Sequence, residues 1–326
     1  MTMYSDRSIL VTGGAGFIGS HLVRRLLSQG KTVTIIDDLS TGRLANLTDI
    51  ESHPSLRIIT SRVSDCRNLK EIVAQSTRVY HLAAAVGVEM VINSPIQTIH
   101  NNLLETEVIL EAACLNHTPV FLASTSEVYG KSRKESFAET DDLLIGPPTL
   151  GRWSYACSKL MDEFLALAYH KERAVPVVIA RLFNTVGPRQ TGRYGMVLPR
   201  FIEAAIAGKP LEVYGDGLQS RCFCDVTDTV EAILRLTETP ASVGQIVNIG
   251  STEEVSIWEL ARRVVTATRS SSSIVLRPYR EAYNAEFEDM QRRRPCTKKL
   301  QSLTGFQPSI GLDEIIRRTV AAGTPA

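Results

Sequence analysis

Tyr155 lies 29 residues beyond Ser126, and Lys159 follows it by four, all downstream of a glycine-rich turn that opens the chain. A tyrosine and a lysine at i and i+4 share one helix face. There the ammonium can stabilise a phenolate and bring the tyrosine pKa down from about 10 toward working pH. A hydroxyl, from Ser126 or Thr125, can hydrogen-bond a developing ketone. Together with a bound dinucleotide, these groups move a hydride on and off an alcohol carbon. A bare Tyr-x-x-x-Lys arises by chance in long chains. The order glycine turn, Ser126, Tyr155–Lys159 is what points to an enzyme. Glu127 adds a carboxylate able to move a second proton, its alternative being a partly buried group bridging backbone atoms.

The turn reads Val11-Thr12-Gly13-Gly14-Ala15-Gly16-Phe17-Ile18-Gly19-Ser20, a Gly-x-x-Gly-x-x-Gly spacing between a strand and a helix. In this reading Gly13 permits the tight turn, Gly16 lets backbone approach a pyrophosphate, and Gly19 lets helix meet strand. The pyrophosphate then sits at the helix N-terminus, where free N–H groups and the dipole favour it. Asp37 closes the next strand, 18 residues after Gly19. A carboxylate there accepts from a ribose 2′-hydroxyl and repels a 2′-phosphate, which favours NAD over NADP. Arg43 nearby reads as a surface loop residue.

The elements that must hold these residues follow from the hydrophobic pattern. Ser8–Thr12, Thr32–Ile36, Leu56–Thr60, Val79–Leu82, Val120–Ala123 and Val177–Ala180 read as strands, with helices at 21–28 and near 67–75, 100–116 and 155–173. Strands alternating with helices imply an α/β fold, a Rossmann-like doubly wound parallel sheet. After Asn184 the alternation is lost. A helix at about 197–208, strand Leu211–Tyr214, a capping box Ser256-x-x-Glu259 opening a helix to about 268, and strand Ile274–Leu276 make a smaller C-terminal α/β lobe. The expected division is 1–184 for dinucleotide binding and 185–326 for substrate, with a strand near 245–250 rejoining the first sheet. Ligands of such sheets bind outside the carboxyl ends of the strands.

Composition excludes several classes. The 326 residues carry a net charge of +1, so nothing points to nucleic acid or an acidic membrane surface. No run of roughly 18 apolar residues is present, and the chain enters a strand almost at once, so neither a spanning helix nor a signal peptide is expected. The 6 cysteines lack metal-ligand spacing and read as reduced thiols of a cytoplasmic protein. Cys222 and Cys224 alternate with Phe223 as if in one strand. No metal is expected.

With these residues in hand, the chain resembles the extended short-chain dehydrogenase/reductases, the family of nucleotide-sugar epimerases, dehydratases and decarboxylases. His81-Leu82-Ala83-Ala84 resembles the segment under the nicotinamide, and Asn102 an asparagine of the helix behind the active site. Arg181–Asn184 with Gly187-Pro188-Arg189 resembles the part that places Asn184 on a substrate diphosphate. Leu211–Gly217 and Arg221 resemble the nucleotide-holding part of the small lobe. Thr125-Ser126-Glu127, Arg152-Trp153 and Arg292-Arg293-Arg294-Pro295 are similar to UDP-glucuronate decarboxylases, whereas Gly87–Pro95, without a tyrosine, is more like an epimerase. Ser61-Arg62-Val63 departs from the Gly-Asp-Ile/Val whose aspartate contacts adenine.

The resemblance implies NAD held by Gly13, Gly16, Phe17, Ile18, Gly19, Asp37, Leu82, Ala83, Ala84, Asn102, Tyr155 and Lys159. It implies catalysis by Tyr155, Lys159, Ser126, Thr125, Glu127 and Arg293, and substrate held by Asn184, Arg189, Val197, Tyr214, Arg221 and Arg293. The expected activity passes through a 4-keto sugar: UDP-glucuronate decarboxylation first, UDP-hexose 4-epimerisation second, NDP-sugar 4,6-dehydration third, and an NAD(H)-sensing regulator last. A homodimer through the helices near 100–116 and 155–173 is also implied.

Overall fold

The computed structural model describes residues 7–84, 94–192, 196–278, 281 and 290–323. The first half runs β1 (Ser8–Thr12), α1 (Phe17–Ser28), β2 (Val33–Asp37), β3 (Leu56–Thr60), α2 (Leu69–Ala74), β4 (Ser76–His81), α3 (Pro95–Cys114), β5 (Val120–Thr125), α4 (Trp153–Arg173) and β6 (Val177–Leu182). The second half begins β7 (Thr185–Val186), α5 (Val197–Ile206), β8 (Leu211–Tyr214), β9 (Ser220–Cys222), β10 (Cys224–Asp225), α6 (Val226–Glu238) and β11 (Gln245–Ile249). It ends β12 (Glu254–Ser256), α7 (Ile257–Thr268), β13 (Ile274–Arg277), β14 (Arg292–Arg293), α8 (Lys298–Thr304) and α9 (Leu312–Ala322).

Seven strands form one parallel sheet in the order β11-β6-β5-β4-β1-β2-β3. The near-continuous apolar runs reflect cover on both faces. Successive side chains of a strand point to opposite sides, so Ile9 and Val11 join Leu22, Val23 and Leu26 of α1 and Val230 and Ile233 of α6. Leu10 of the same strand packs on the other side, with Ile109 and Leu110 of α3 and Ala166 of α4. Each such buried aliphatic side chain contributes roughly 1.5–3 kcal/mol. β11 returns to the sheet beside β6, with Val247 opposite Ala180.

The remaining elements build a separate apolar cluster, Leu198, Phe201 and Ile202 of α5 with Leu211, Val213, Leu260, Val264, Ile315 and Ile316. Ser256 caps α7 as its sequence predicts, its Oγ accepting from the Glu259 N–H at 3.1 Å. Two helices begin earlier than the periodicity suggests. Pro95 takes the first turn of α3, where its missing N–H does no harm, and α1 starts at Phe17, inside the glycine motif.

One expected strand is two. Phe223 breaks it: Cys222 in β9 pairs with β12, while Cys224 in β10 pairs with β7 in a different sheet. Both thiols are buried, and burial first of all pushes each up to about 12. The segment Gly87–Pro95 lies outside the described residues up to position 93.

Candidate active site

The sheet order reverses between β1 and β4, and the loops leaving the carboxyl ends of β1, β2, β4, β5 and β6 surround one cavity of about 520 Å³. That volume falls in the range of small-molecule sites. Every residue assigned above to cofactor, reaction or substrate lines it except Ser126.

At one end lies the glycine turn. Gly13 has φ +71°, and a Cβ there would come within 2.8 Å of the Ala83 nitrogen. A Cβ at Gly19 would overlap the Gly13 carbonyl oxygen. The third glycine is therefore required by the turn folding back on its own helix. The approach of the turn to β2 falls to Gly14, whose Cβ would meet the Ile35 side chain at 2.7 Å. α1 begins with neither a side-chain cap nor an acid in its first turn, so its opening N–H groups and dipole remain available to an anion. Asp37 ends β2 with Oδ2 accepting from Ala15 N–H and Oδ1 from Leu39 N–H, each at 2.9 Å. Burial pushes its carboxyl above the ordinary value, against these bonds. The cradle fits a dinucleotide: a glycine-rich turn for the pyrophosphate and a carboxylate at the ribose position.

At the centre are Thr125, Glu127, Tyr155 and Lys159. β5 ends at Thr125, and the chain turns through a 3₁₀ segment, Ser126–Tyr129, with Thr125 Oγ1 accepting from the Glu127 N–H at 3.2 Å. Thr125 thus faces the cavity and hydrogen-bonds the Tyr155 phenol. Ser126 is fully buried, and its Oγ has no hydrogen-bond partner among the described residues. The hydroxyl that lines the cavity is that of Thr125; Ser126 lies behind it, outside the lining.

The Tyr155–Lys159 pair also differs from its sequence reading. Lys159 Nζ is bound to Asp162 Oδ2 at 2.8 Å, both side chains buried. Burial first, then the Glu127 carboxylate, push the Tyr155 phenol above its ordinary value, with the Thr125 hydrogen bond pulling the other way. Behind this pair, His81 lies between Thr12 Oγ1 (2.8 Å from Nδ1) and Thr106 Oγ1 (3.3 Å from Nε2). Burial, and secondarily Lys159, bring His81 down to about 3, so it is neutral at working pH. Asn102 donates to Ser158 Oγ at 3.0 Å, and Ser158 donates to the Tyr155 carbonyl at 2.9 Å, tying α3 to α4.

The other end comes from the C-terminal elements. β14 runs beside β9 with Arg293 opposite Arg221, so two guanidinium-bearing residues stand side by side on the cavity wall. Arg293 Nη2 lies 3.4 Å from Glu127 Oε1, and its Nη1 donates to Asn184 Oδ1 at 3.4 Å. Asn184 sits at φ +30°, a strained backbone for a residue with a Cβ, and its Nδ2 donates to the Cys222 carbonyl at 2.9 Å. Arg189 lies beside the glycine-turn helix: its Nη2 donates to His21 Nδ1 at 3.0 Å, while His21 Nε2 donates to the Pro188 carbonyl at 2.8 Å. Val197 opens α5, and Tyr214 ends β8 with the Arg200 guanidinium 4.2 Å from its ring centre.

Three residues at the site carried no assigned role from the sequence, although Arg152 and Arg62 stood in the motifs quoted above. Arg152, three residues before Tyr155, is a buried member of the cavity wall. Arg62 lines the cavity beside Asp38, the two charges 3.8 Å apart. Asp162 escaped because its partner lies on its own helix, and i,i+3 ion pairs are common on helix surfaces; only burial marks it. Among the described residues no group of three or more metal-ligating side chains occurs, and no helix is long and apolar enough to cross a membrane.

The family description "GDP-mannose 4,6 dehydratase" matches residues 10–319. A UDP-N-acetyl-alpha-D-glucosaminuronate decarboxylase of Bacillus cytotoxicus is 41% identical over 312 residues, covering 95% of this chain and 96% of that protein. UDP-glucuronic acid decarboxylase 1 of Danio rerio is 34% identical over 319 residues, covering 96% and 72%. Among solved structures, a UDP-glucuronic acid 4-epimerase variant from Bacillus cereus, in complex with UDP-4-deoxy-4-fluoro-glucuronic acid and NAD, superposes with a TM-score of 0.86 at 29% identity. It covers 97% of this chain and 98% of its own.

Proposed function

The chain belongs to the GDP-mannose 4,6 dehydratase family of extended short-chain dehydrogenase/reductases, and from that membership we propose that it is an NAD-dependent decarboxylase of UDP-linked hexuronates, with UDP-glucuronate giving UDP-xylose. The observation that carries the reading is Arg293, fixed on the cavity wall between Glu127 and Asn184. A cation there suits a sugar carboxylate. The 41% identical relative favours a second substrate of the same kind, the 2-acetamido uronate.

Gly13, Gly16, Gly19 and Asp37 would hold NAD, with Leu82–Ala84 and Asn102 at its nicotinamide end. When bound, it supplies a reversible hydride acceptor at carbon 4, so the overall reaction has no net redox change. Tyr155 takes the proton from the carbon 4 hydroxyl and later returns it, and Thr125 hydrogen-bonds the same oxygen as it becomes a ketone. With carbon 4 at the ketone level, the bond from carbon 5 to the carboxylate breaks. Its electron pair is taken up by the ketone as an enolate, and CO2 leaves. Glu127 then delivers to carbon 5 the one proton that the overall reaction consumes from solvent. Arg293 holds the carboxylate before it leaves, Arg221 and Asn184 hold the diphosphate, and Tyr214 and Val197 border the nucleotide.

Two copies pair through the exposed apolar residues Ile96 and Ile99 of α3 and Met161 and Phe164 of α4. The functional test is proton NMR of reactions with UDP-glucuronate, its 2-acetamido analogue and UDP-glucose. A UDP-pentose from either uronate, with UDP-glucose untouched, is expected, because a site built around a carboxylate leaves its buried donors unpaired on UDP-glucose. UDP-galactose from UDP-glucose, with both uronates unchanged, would replace this reading with a 4-epimerase.

A further inference from the structure

We propose that Asp162 is a positioning residue that governs the reacting pair, drawing the Lys159 ammonium away from Tyr155 and setting how readily the phenol gives up its proton. Lys159 and Asp162 are 2% and 0% exposed, and their ion pair spans 2.8 Å, with Lys159 about one turn and Asp162 about two turns of α4 beyond Tyr155. A thirdly placed group, the Thr106 hydroxyl of α3, also bonds the Asp162 carboxylate. Thr106 continues through His81 to Thr12 of β1, so the carboxylate is anchored to both neighbouring elements.

The pair is poorly satisfied as a structural device. Asp162 Oδ1 has no hydrogen-bond partner among the described residues. The adjacent Glu163, by contrast, is fully engaged by Arg181, at 3.0 Å to Oε1 and 2.8 Å to Oε2. A buried carboxylate with one idle oxygen is a costly way to stabilise a helix. Its effect on charge is specific. Tyr155 is faced by Glu127 and Arg293 across the cavity, by Thr125, and by Lys159 and Asp162 along its own helix; His81 behind them is neutral. Asp162 opposes phenol ionisation twice, through its own negative charge and by neutralising the ammonium that would favour the phenolate. In the structure Lys159 is engaged by Asp162, and this engagement competes with its action on Tyr155.

This inference rests on Tyr155 being the base, and the test separates the two claims. Asp162→Asn keeps the shape and removes the charge. The acid limb of kcat against pH is expected to move down by on the order of one pH unit. The tyrosinate absorbance step that disappears in Tyr155→Phe should move the same way, in protein saturated with NAD+ and without substrate. Asp162→Glu, which keeps the charge, should restore both toward wild type. If the unpaired ammonium prevents Asp162→Asn from folding, Lys159→Met with Asp162→Asn forms a neutral pair. Compared with Lys159→Met alone, it should still lower the tyrosinate step, through the direct charge. A folded variant whose tyrosinate step and acid limb both stay at their wild-type positions overturns the role of Asp162. A shifted tyrosinate step in protein that decarboxylates no uronate leaves Asp162 standing and removes the proposed reaction.

Discussion

Thr125 and Ser126 are adjacent hydroxyls with opposite fates, and the difference is set by one backbone turn. β5 ends at Thr125, whose side chain caps the 3₁₀ turn and faces Tyr155, while Ser126 points into the protein with its Oγ unpartnered. Thr125→Val should lower turnover on the order of 10²-fold, the scale of losing one donor to a developing oxyanion. Ser126→Ala should leave turnover within a few-fold and stability unchanged or raised by about 1 kcal/mol, since no bond is lost. Steady-state kinetics and thermal melts of the two variants check this; the reverse ranking returns the ketone to Ser126. The sequence could name both hydroxyls but not choose, because the choice depends on where a strand stops. The placement of Tyr155, Lys159 and Asp37 on the cavity was legible because it is local, whereas the engagement of Lys159 by Asp162 was not. A second residue-scale expectation concerns acid. Burial holds His81 near pKa 3 in the folded protein against 6.5 when unfolded. Its contribution to stability is thus fully present above pH 6.5. As the pH falls from there toward 3, the unfolded chain takes a proton that the folded one refuses, and the contribution is lost by about 1.4 kcal/mol per pH unit. His21, lowered to about 4 chiefly by burial, acts in the same direction. Melting temperatures between pH 7 and pH 5 should fall more steeply for wild type than for His81→Asn; equal slopes would show that His81 is not kept neutral.

Elements explain why three glycines sit where they do and what each excludes. The turn after β1 must bring its own carbonyl against the first turn of α1, and the third glycine leaves room for that contact. Gly19→Ala should therefore abolish or greatly weaken NAD+ retention. Apolar packing elsewhere should survive, because Leu22, Val23 and Leu26 of α1 lie further along the helix. Equilibrium dialysis against NAD+, with circular dichroism for folding, measures both; wild-type retention would mean the helix start can shift without cost. Strands and helices of the sheet were readable from period and apolar content because the sheet is covered on both faces. The Cys222–Cys224 run was misread for a related reason. Alternation reports which faces are buried, and both halves of the run are buried although they belong to different sheets. β14, two residues long, carries no periodic signal at all; only the resemblance pointed to Arg293.

Across the whole molecule, the reaction depends on groups that arrive from distant parts of the chain. Tyr155, Lys159, Thr125 and Glu127 come from the parallel sheet, the turn after it and its covering helix, whereas Arg293 and Arg221 come from two short strands after residue 219 that belong to a different sheet. Their meeting at one cavity is what a linear sequence hides and the fold supplies. The account requires that carbon 5 lose a carboxylate and gain a solvent proton while the hydrogen on carbon 4 leaves and returns within the protein. The most direct measurement is the reaction of UDP-glucuronate, or its 2-acetamido analogue, in deuterium oxide, followed by proton NMR and mass spectrometry. The account predicts a UDP-pentose with a single deuterium at carbon 5, none at carbon 4, and release of CO2. A product that keeps its carboxylate and is inverted at carbon 4, with carbon 5 free of deuterium, would contradict it.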